Sequence, residues 1–400
     1  MKITGVVAEY NPFHNGHKYQ LANAVRQGAT HIICVMSGNF TQRGDGAVMD
    51  KLARTRCALA GGADLVLELP AVYALGSAGV FAAGAVNTLL ATGCLDALHF
   101  GSECGEIEPL RQTATAIELL EMKGLLDTKS GCSAAARSEA LRQYGYAQAA
   151  DILDSPNNLL GVEYMLNLRA AYSHVLPETV TRVGAAHDSH SVEGDFCSAS
   201  QIRRFLQTDP LSAAPYMPAE TMTILKERQI AGQAPIYLKQ LDTAILSRLR
   251  MVEPAYLARI AGVSEGLENR LYQAIRTHHS FEEICNAVKT KRYPLSRIRR
   301  ILLCAAIGIT AKDQATPPAY LRVLGQNQKG NEVLRMMKHS AKLPIVLRSS
   351  DFDGLSPAAQ RMFRLENLAT DLYTMAYSPM GECGTEYTRN LYSYTKGEGK

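Results

Sequence analysis

The chain has no pair of cysteines spaced C-x-x-C; its nine cysteines are scattered at 34, 57, 94, 104, 132, 197, 285, 304 and 383. That spacing argues against a structural zinc site and a thioredoxin-like redox motif. An odd count in a chain of 400 residues also argues against a secreted disulfide scaffold. Both common phosphate loops, G-x-x-x-x-G-K-[ST] and G-x-G-x-x-G, are missing. No apolar leader precedes the first strand-like run, because Ile3 to Ala8 begins almost at once and Glu9 cuts it off. One uncharged stretch, Leu69 to Leu95, is long enough to span a bilayer. Pro70, Gly76, Gly79, Gly84, Asn87 and Gly93 interrupt it, so it reads as helix packed inside an α/β domain, and the expected compartment is the cytosol. With 46% hydrophobic and 20% charged residues, wholesale disorder is excluded. The length suggests two or three domains.

What is present in the first half is an alternation of short apolar runs with helical patterns. Strands are expected at Ile3–Ala8, His31–Met36, Asp64–Leu69, Ala97–Phe100 and Thr179–Val183. Helices are expected at about 17–27, 50–61, 77–92, 107–123, 133–148 and 158–172. One helix per crossover implies a parallel sheet wound on both faces, with ligands bound beyond the carboxyl ends of its strands. The expected division is a nucleotide-binding catalytic domain over 1–205 and a basic, mainly helical region over 206–400.

The segment after the first strand, Glu9-Tyr10-Asn11-Pro12-Phe13-His14-Asn15-Gly16-His17, is the most informative in the chain. Leu21, Ala24 and Val25 supply the apolar stripe of the helix that follows. Pro12 fixes a turn, and Gly16 removes a side chain where something flat must approach the backbone. His14 and His17 fall at the helix start, where free N–H groups and the dipole favour anions. Two imidazoles there can bond phosphate oxygens and stabilise a leaving pyrophosphate.

Charge divides the chain. Residues 1–200 carry 14 Lys and Arg against 20 Asp and Glu, whereas residues 201–400 carry 28 against 18. Lys289, Lys291, Arg292, Arg297, Arg299, Arg300 and Lys312 follow one another with no acid between them, and Tyr293 lies in their midst. A second basic run extends from Arg322 to Arg348. Such a pattern suits contact with a phosphate backbone and stacking on unpaired bases; it also suits a solvated helix face.

H-x-G-H after a first strand resembles the signature of the nucleotidyltransferase superfamily, which includes class I aminoacyl-tRNA synthetases and small adenylyltransferases. Longer strings are more specific: Val7 to His17, Met36 to Gly44, Ala63 to Pro70, His99 to Glu103, Ser155 to Gly161, Ser198 to Arg203, Ser264 to Asn269 and Thr290 to Tyr293. Together they resemble the bacterial tRNA(Met) cytidine acetate ligase family. The resemblance implies a Rossmann-like sheet of nucleotidyltransferase type. It implies ATP as co-substrate, with Mg2+ accompanying it, and acetate activated as acetyl-adenylate. The acetyl group would then pass to N4 of the wobble cytidine of elongator tRNA(Met), forming N4-acetylcytidine with AMP and pyrophosphate released. No membrane and no protein partner is expected.

By resemblance, the ATP cradle runs from Val7 to Gln20: Val7, Ala8, Glu9, Tyr10, Asn11, Pro12, Phe13, His14, Asn15, Gly16, His17, Lys18, Tyr19 and Gln20. Gly16 would lie under the adenine, and His14 and His17 would hold the triphosphate. Gly101, Arg182 and one of Asn157 and Asn158 match family nucleotide contacts, while Ser198 and Arg203 suit a phosphate-binding helix start. Arg43 is the natural partner for an acetate carboxylate. Asp64 either orders the acceptor or caps a neighbouring helix. The basic cluster Lys289, Lys291, Arg292, Tyr293, Arg297, Arg299 and Arg300 would hold the tRNA. His187 and His190 have metal-like spacing but no third ligand, so no protein-held metal is expected. Two other readings compete: an adenylyltransferase acting on a small phosphorylated metabolite, and a non-catalytic RNA-binding protein.

Overall fold

Strands β1 (Ile3–Ala8), β2 (His31–Ser37), β3 (Leu65–Leu69) and β4 (Ala97–Ser102) are buried along almost their whole length. Continuous apolar runs of this kind belong to parallel sheets covered on both faces. In the computed structural model, which describes residues 1–126, 134–182 and 194–395, alternate β2 side chains enter two separate cores. Ile33 and Val35 join one, while Ile32, Cys34 and Met36 join the other. β5 (Leu176–Thr181) is half exposed and forms one edge.

The strand order is β5-β4-β1-β2-β3-β6-β7. β1 to β5 pair in parallel, whereas β6 (Leu321–Gln326) pairs antiparallel with β3. The short strands β7 (Ile345–Val346) and β8 (Tyr392–Ser393) flank different ends of β6. The sheet therefore does not stop near residue 205: the mostly helical second half returns to complete it. Residues from that half enter both cores, among them Ile245, Leu302 and Leu365 on one face and Leu225 and Leu324 on the other.

Several sequence expectations change in detail. The fifth strand starts earlier than Thr179 and ends at Thr181. The helix expected over 133–148 is two helices, Ala134–Gln143 and Ala147–Leu153, separated by a turn in which Gly145 takes φ +88°. The uncharged stretch after Leu69 is a four-residue helix, Ala71–Ala74, and then a helix over Ala78–Leu90 capped by Ser77. Among the described residues no helix is long and apolar enough to cross a membrane. His187 and His190 lie outside the described residues.

Where the two halves meet, a cluster of charges is sealed in. Lys51 opens helix α2 (Lys51–Ala60), Glu68 lies on β3, Arg322 on β6, and Glu366 on the helix Pro357–Thr374. The Lys51 ammonium meets Glu68, Glu366 at 2.8 Å and Glu386 at 3.0 Å. Arg322 pairs with Glu68 at 3.1 Å and Glu386 at 2.6 Å. Burial, with Glu68 nearby, pushes the Glu366 carboxyl up to about 7. Glu386, although buried, is held far below the usual range by Lys51 and Arg322.

Candidate active site

Helix α1 (Asn15–Arg26) begins with an imidazole as its cap. His14 is extended (φ −134°, ψ 175°), and its Nδ1 accepts the Gly16 N–H at 3.1 Å. In return the His14 N–H donates to His17 Nδ1 at 3.2 Å. This is a capping box built from two histidines. The rings stack with centroids 3.7 Å apart. Because each Nδ1 accepts a backbone N–H, each ring proton must sit on Nε2. Burial, then the charges of Arg182 and Arg203, pushes His14 down to about 3; burial and the neighbouring His14 push His17 well down too. Both rings are neutral N–H donors at a helix N-terminus.

Gly16 has a role the sequence does not reveal. A Cβ there would fall 2.9 Å from His14 Cε1, so the glycine makes room for the capping ring itself. The loop before it is braced from behind. Tyr10 takes φ +48°, and its hydroxyl lies 3.3 Å from Cys34 Sγ. Phe13 is fully buried against Tyr10. Arg54, fully buried on α2, donates to the carbonyls of Glu9 and Ser37 at 2.5 and 3.1 Å and also to that of Gly38. One side chain thus ties together the chain turns that follow β1 and β2.

These turns open into a cleft of about 310 Å³ at the carboxyl ends of the strands. Of the expected cradle, Val7, Ala8, Glu9, Tyr10, Asn11, His14, Gly16, His17, Tyr19 and Gln20 line it. Pro12, Phe13, Asn15 and Lys18 do not; Asn15 is turned away to the carbonyls of Asp195 and Pro215, both at 3.0 Å. Gly101, Asn157, Arg182, Ser198, Arg203 and Arg43 join the lining. Asn158 is buried behind it, with its Oδ1 accepting from the Glu103 and Cys104 N–H groups, so of the two asparagines Asn157 faces the cleft. Asn157 accepts from Arg182 at 2.7 Å, and Arg203 donates to the Asn11 carbonyl at 2.9 Å. Ser198 caps the helix Ala199–Thr208. Among the described lining residues, three guanidiniums against the single carboxylate of Glu9 make the cleft strongly cationic, as a polyanion requires.

Asp64 is corrected. It precedes β3, at the amino edge of the sheet and opposite the cleft, where it accepts the Ile32 N–H at 2.8 Å and the Asn327 amide at 2.9 Å. In a parallel sheet the start of one strand and the end of its neighbour face opposite ways, so Asp64 serves to join strands.

The basic cluster divides into two groups. Lys289, Lys291 and Arg292 are exposed, with Arg292 paired to Glu265 at 2.5 Å. Tyr293 is half buried, with the Arg297 guanidinium 5.0 Å from its ring centre, and Arg297 itself bonds the Gly262 carbonyl at 2.7 Å. Arg299 and Arg300, on the helix Leu295–Ile307, turn inward instead. Arg299 pairs with Asp45 at 3.1 Å and Glu282 at 2.8 Å, and Arg300 donates to the Gln42 carbonyl at 3.0 Å. Arg322, in the second basic run, is consumed by the buried charge cluster.

Sequence reasoning missed the apolar wall made by Phe81, Phe100, Leu159, Leu160 and Tyr164, and it missed Gln42. Phe100 lies two residues before the end of β4, and Leu160 and Tyr164 are one turn apart on the helix Pro156–Ala170. Position at a strand end and at i, i+4 on a helix start was the available signal.

A doubly wound sheet with a histidine-capped helix after its first strand and a cationic cleft above defines a nucleotidyltransferase. The family model described as HIGH Nucleotidyl Transferase matches residues 1–386. A curated tRNA(Met) cytidine acetate ligase of Acetivibrio thermocellus is 39% identical, covering 98% of this chain and 99% of its own length. That of Caldanaerobacter subterraneus subsp. tengcongensis is 38% identical, covering 94% and 96%. The crystal structure of Thermotoga maritima TmcAL, 34% identical, superposes with a TM-score of 0.90 over 99% of this chain and 100% of that one. The same protein bound with alpha-thio ATP superposes at 0.88 with 33% identity, again over 99% and 100%. The chain belongs to the tRNA(Met) cytidine acetate ligase family within the HIGH nucleotidyltransferases.

Proposed function

We propose that this protein couples acetate to N4 of the wobble cytidine of elongator tRNA(Met) at the expense of ATP, by way of acetyl-adenylate. The observation that carries the reading is the pair of neutral Nε2–H donors at the start of α1, set among Arg43, Arg182 and Arg203.

Acetate cannot acylate an amine directly, because oxide is a poor leaving group. Attack of its oxygen on the α-phosphorus of ATP forms a C–O–P anhydride and expels pyrophosphate. The charge gathering on that leaving group is met by the two imidazole N–H groups and by Arg182 and Arg203. Arg43 holds the acetate carboxylate in line. Magnesium enters with the nucleotide, held by phosphates and water, because Glu9 is the only carboxylate among the described residues lining the cleft. The wall of Phe81, Phe100 and Leu160 keeps water from the anhydride. The cytosine amine, whose lone pair is delocalised into its ring, then attacks the activated acetyl carbon and AMP leaves. The anticodon loop lends its base readily, since it is already unpaired. Lys289 and Lys291 reach its phosphates, and the reaction takes place in the cytoplasm, where tRNA and ATP meet.

The test is to incubate the protein with labelled acetate, ATP and total bacterial tRNA. The expected result is label in tRNA(Met) that depends on ATP and is indifferent to acetyl-CoA. ATP turnover on a small phosphorylated acceptor would replace this reading with an adenylyltransferase, and tRNA binding without turnover would replace it with an RNA-binding protein.

A further inference from the structure

The acetyl transfer step needs a group to accept the proton that the cytidine amine sheds, and the cleft narrows the choice. The two imidazoles are committed: each Nδ1 accepts a backbone N–H, and each Nε2 already carries a proton. The guanidiniums stay charged at all relevant pH values. Burial pushes the Tyr164 phenol and the Cys197 thiol up, away from ionisation. Among the described residues lining the cleft, the one carboxylate is Glu9.

Its position fits the step. Glu9 directly follows β1, and the Gln42 N–H fixes one of its oxygens at 2.6 Å. The carbonyl of the same Gln42 accepts from Arg300 at 3.0 Å. A single residue therefore separates the carboxylate from the basic helix Leu295–Ile307. A base presented by RNA held at the exposed Lys289 and Lys291, just before that helix, would enter the cleft on the Glu9 side.

We propose that Glu9 is the general base of the acetyl transfer, taking the proton from N4 of cytidine as that nitrogen attacks the acetyl-adenylate. The N4–C bond forms, the C–O bond to AMP breaks, AMP leaves with the electron pair, and the proton passes to the Glu9 carboxylate and then to water. The groups around Glu9 are Arg43 from the turn after β2, Arg54 from α2, Arg203 from the helix Ala199–Thr208 and Tyr164 from the helix Pro156–Ala170. Burial raises the Glu9 carboxyl above its ordinary value, while the Gln42 N–H and the three arginines oppose the rise.

This inference rests on the two-step reading above, so its test measures the steps apart. Acetate-dependent exchange of labelled pyrophosphate into ATP reports activation. Mixing enzyme preloaded with acetyl-adenylate with tRNA(Met) in a single turnover, from pH 5.5 to 8.5, reports transfer. Glu9→Gln should slow transfer about 10²- to 10⁴-fold more than activation and should abolish the rise of the transfer rate with pH. Glu9→Asp should recover part of the rate and keep the rise. Equal losses in both steps, or an unaltered pH profile in Glu9→Gln, would reduce Glu9 to a structural support of the Gln42 turn and overturn the assignment. Failure of Glu9→Gln to fold leaves the decision to Glu9→Asp, whose pH-independent transfer would equally overturn it. Absence of acetate-dependent exchange in the unaltered protein would overturn the activity itself.

Discussion

His14 does two things that substitution can separate. Its Nδ1 caps α1, and its Nε2–H faces the cleft. His14→Ala should lose both, costing about 1 kcal/mol of stability from the lost cap and about 10²- to 10³-fold in acetate-dependent pyrophosphate exchange. Asparagine is among the best capping residues, so His14→Asn should restore the melting temperature without restoring the exchange. The same pair reports on pH. His14 titrates at about 3 in the folded protein against its ordinary 6.5, so below pH 6.5 the unfolded chain binds a proton that the folded one refuses. Stability attached to this group is therefore present above pH 6.5 and falls as pH drops toward 3. Between pH 7 and 5 the melting temperature of the native protein should drop further than that of His14→Asn, as followed by circular dichroism.

At the scale of elements, the basic helix is less uniform than its sequence. Lys289 and Lys291 precede it and stand in solvent, while Arg299 and Arg300 brace the turn that carries Gln42 and Arg43. Replacing Lys289 and Lys291 by alanine should weaken tRNA binding and make its salt dependence shallower by about one unit of slope per lost phosphate contact, as measured by filter binding. Arg300→Ala should slow catalysis with little change in that slope; an equal change would put Arg300 on the RNA. Charge runs were legible in the sequence, but which members turn inward was not, because that depends on a turn some 250 residues away. The strands after which ligand-binding turns fall were legible, because buried parallel strands write themselves as unbroken apolar runs. Of the two roles read for Asp64, ordering the acceptor is the one its place in the sheet excludes. The run that marks β3 begins at Asp64, which puts that carboxylate at the strand's amino end, whereas ligands in a parallel sheet bind beyond the carboxyl ends. Gly16 was read as leaving its backbone open to something flat; the neighbour that its missing Cβ accommodates in the structure is the ring two residues before it.

For the whole molecule, the sealed charges join what the sequence divided. Three carboxylates, Glu68, Glu366 and Glu386, converge on Lys51, with Arg322 and Arg389 as further cations. Lys51→Met should leave these carboxylates under-compensated and lower the unfolding free energy by about 3–5 kcal/mol, seen as an earlier urea midpoint with the slope unchanged. Combining it with Glu366→Gln should recover part of that loss, because the two groups share a contact. The charge asymmetry between halves suggested a division near residue 205, and no motif marks β6 as crossing back. β6 pairs antiparallel with β3, and nothing local in the six residues Leu321–Gln326 names that partner.

That return has a consequence for biosynthesis. While the first five strands emerge from the ribosome, the flank of β3 remains bare until Leu321 and its successors are translated, and β8 adds its short seam only when Ser393 has appeared. A nascent chain halted midway carries an open, apolar ribbon ready to adhere to another copy. That edge is covered only once the chain has been made as far as Gln326.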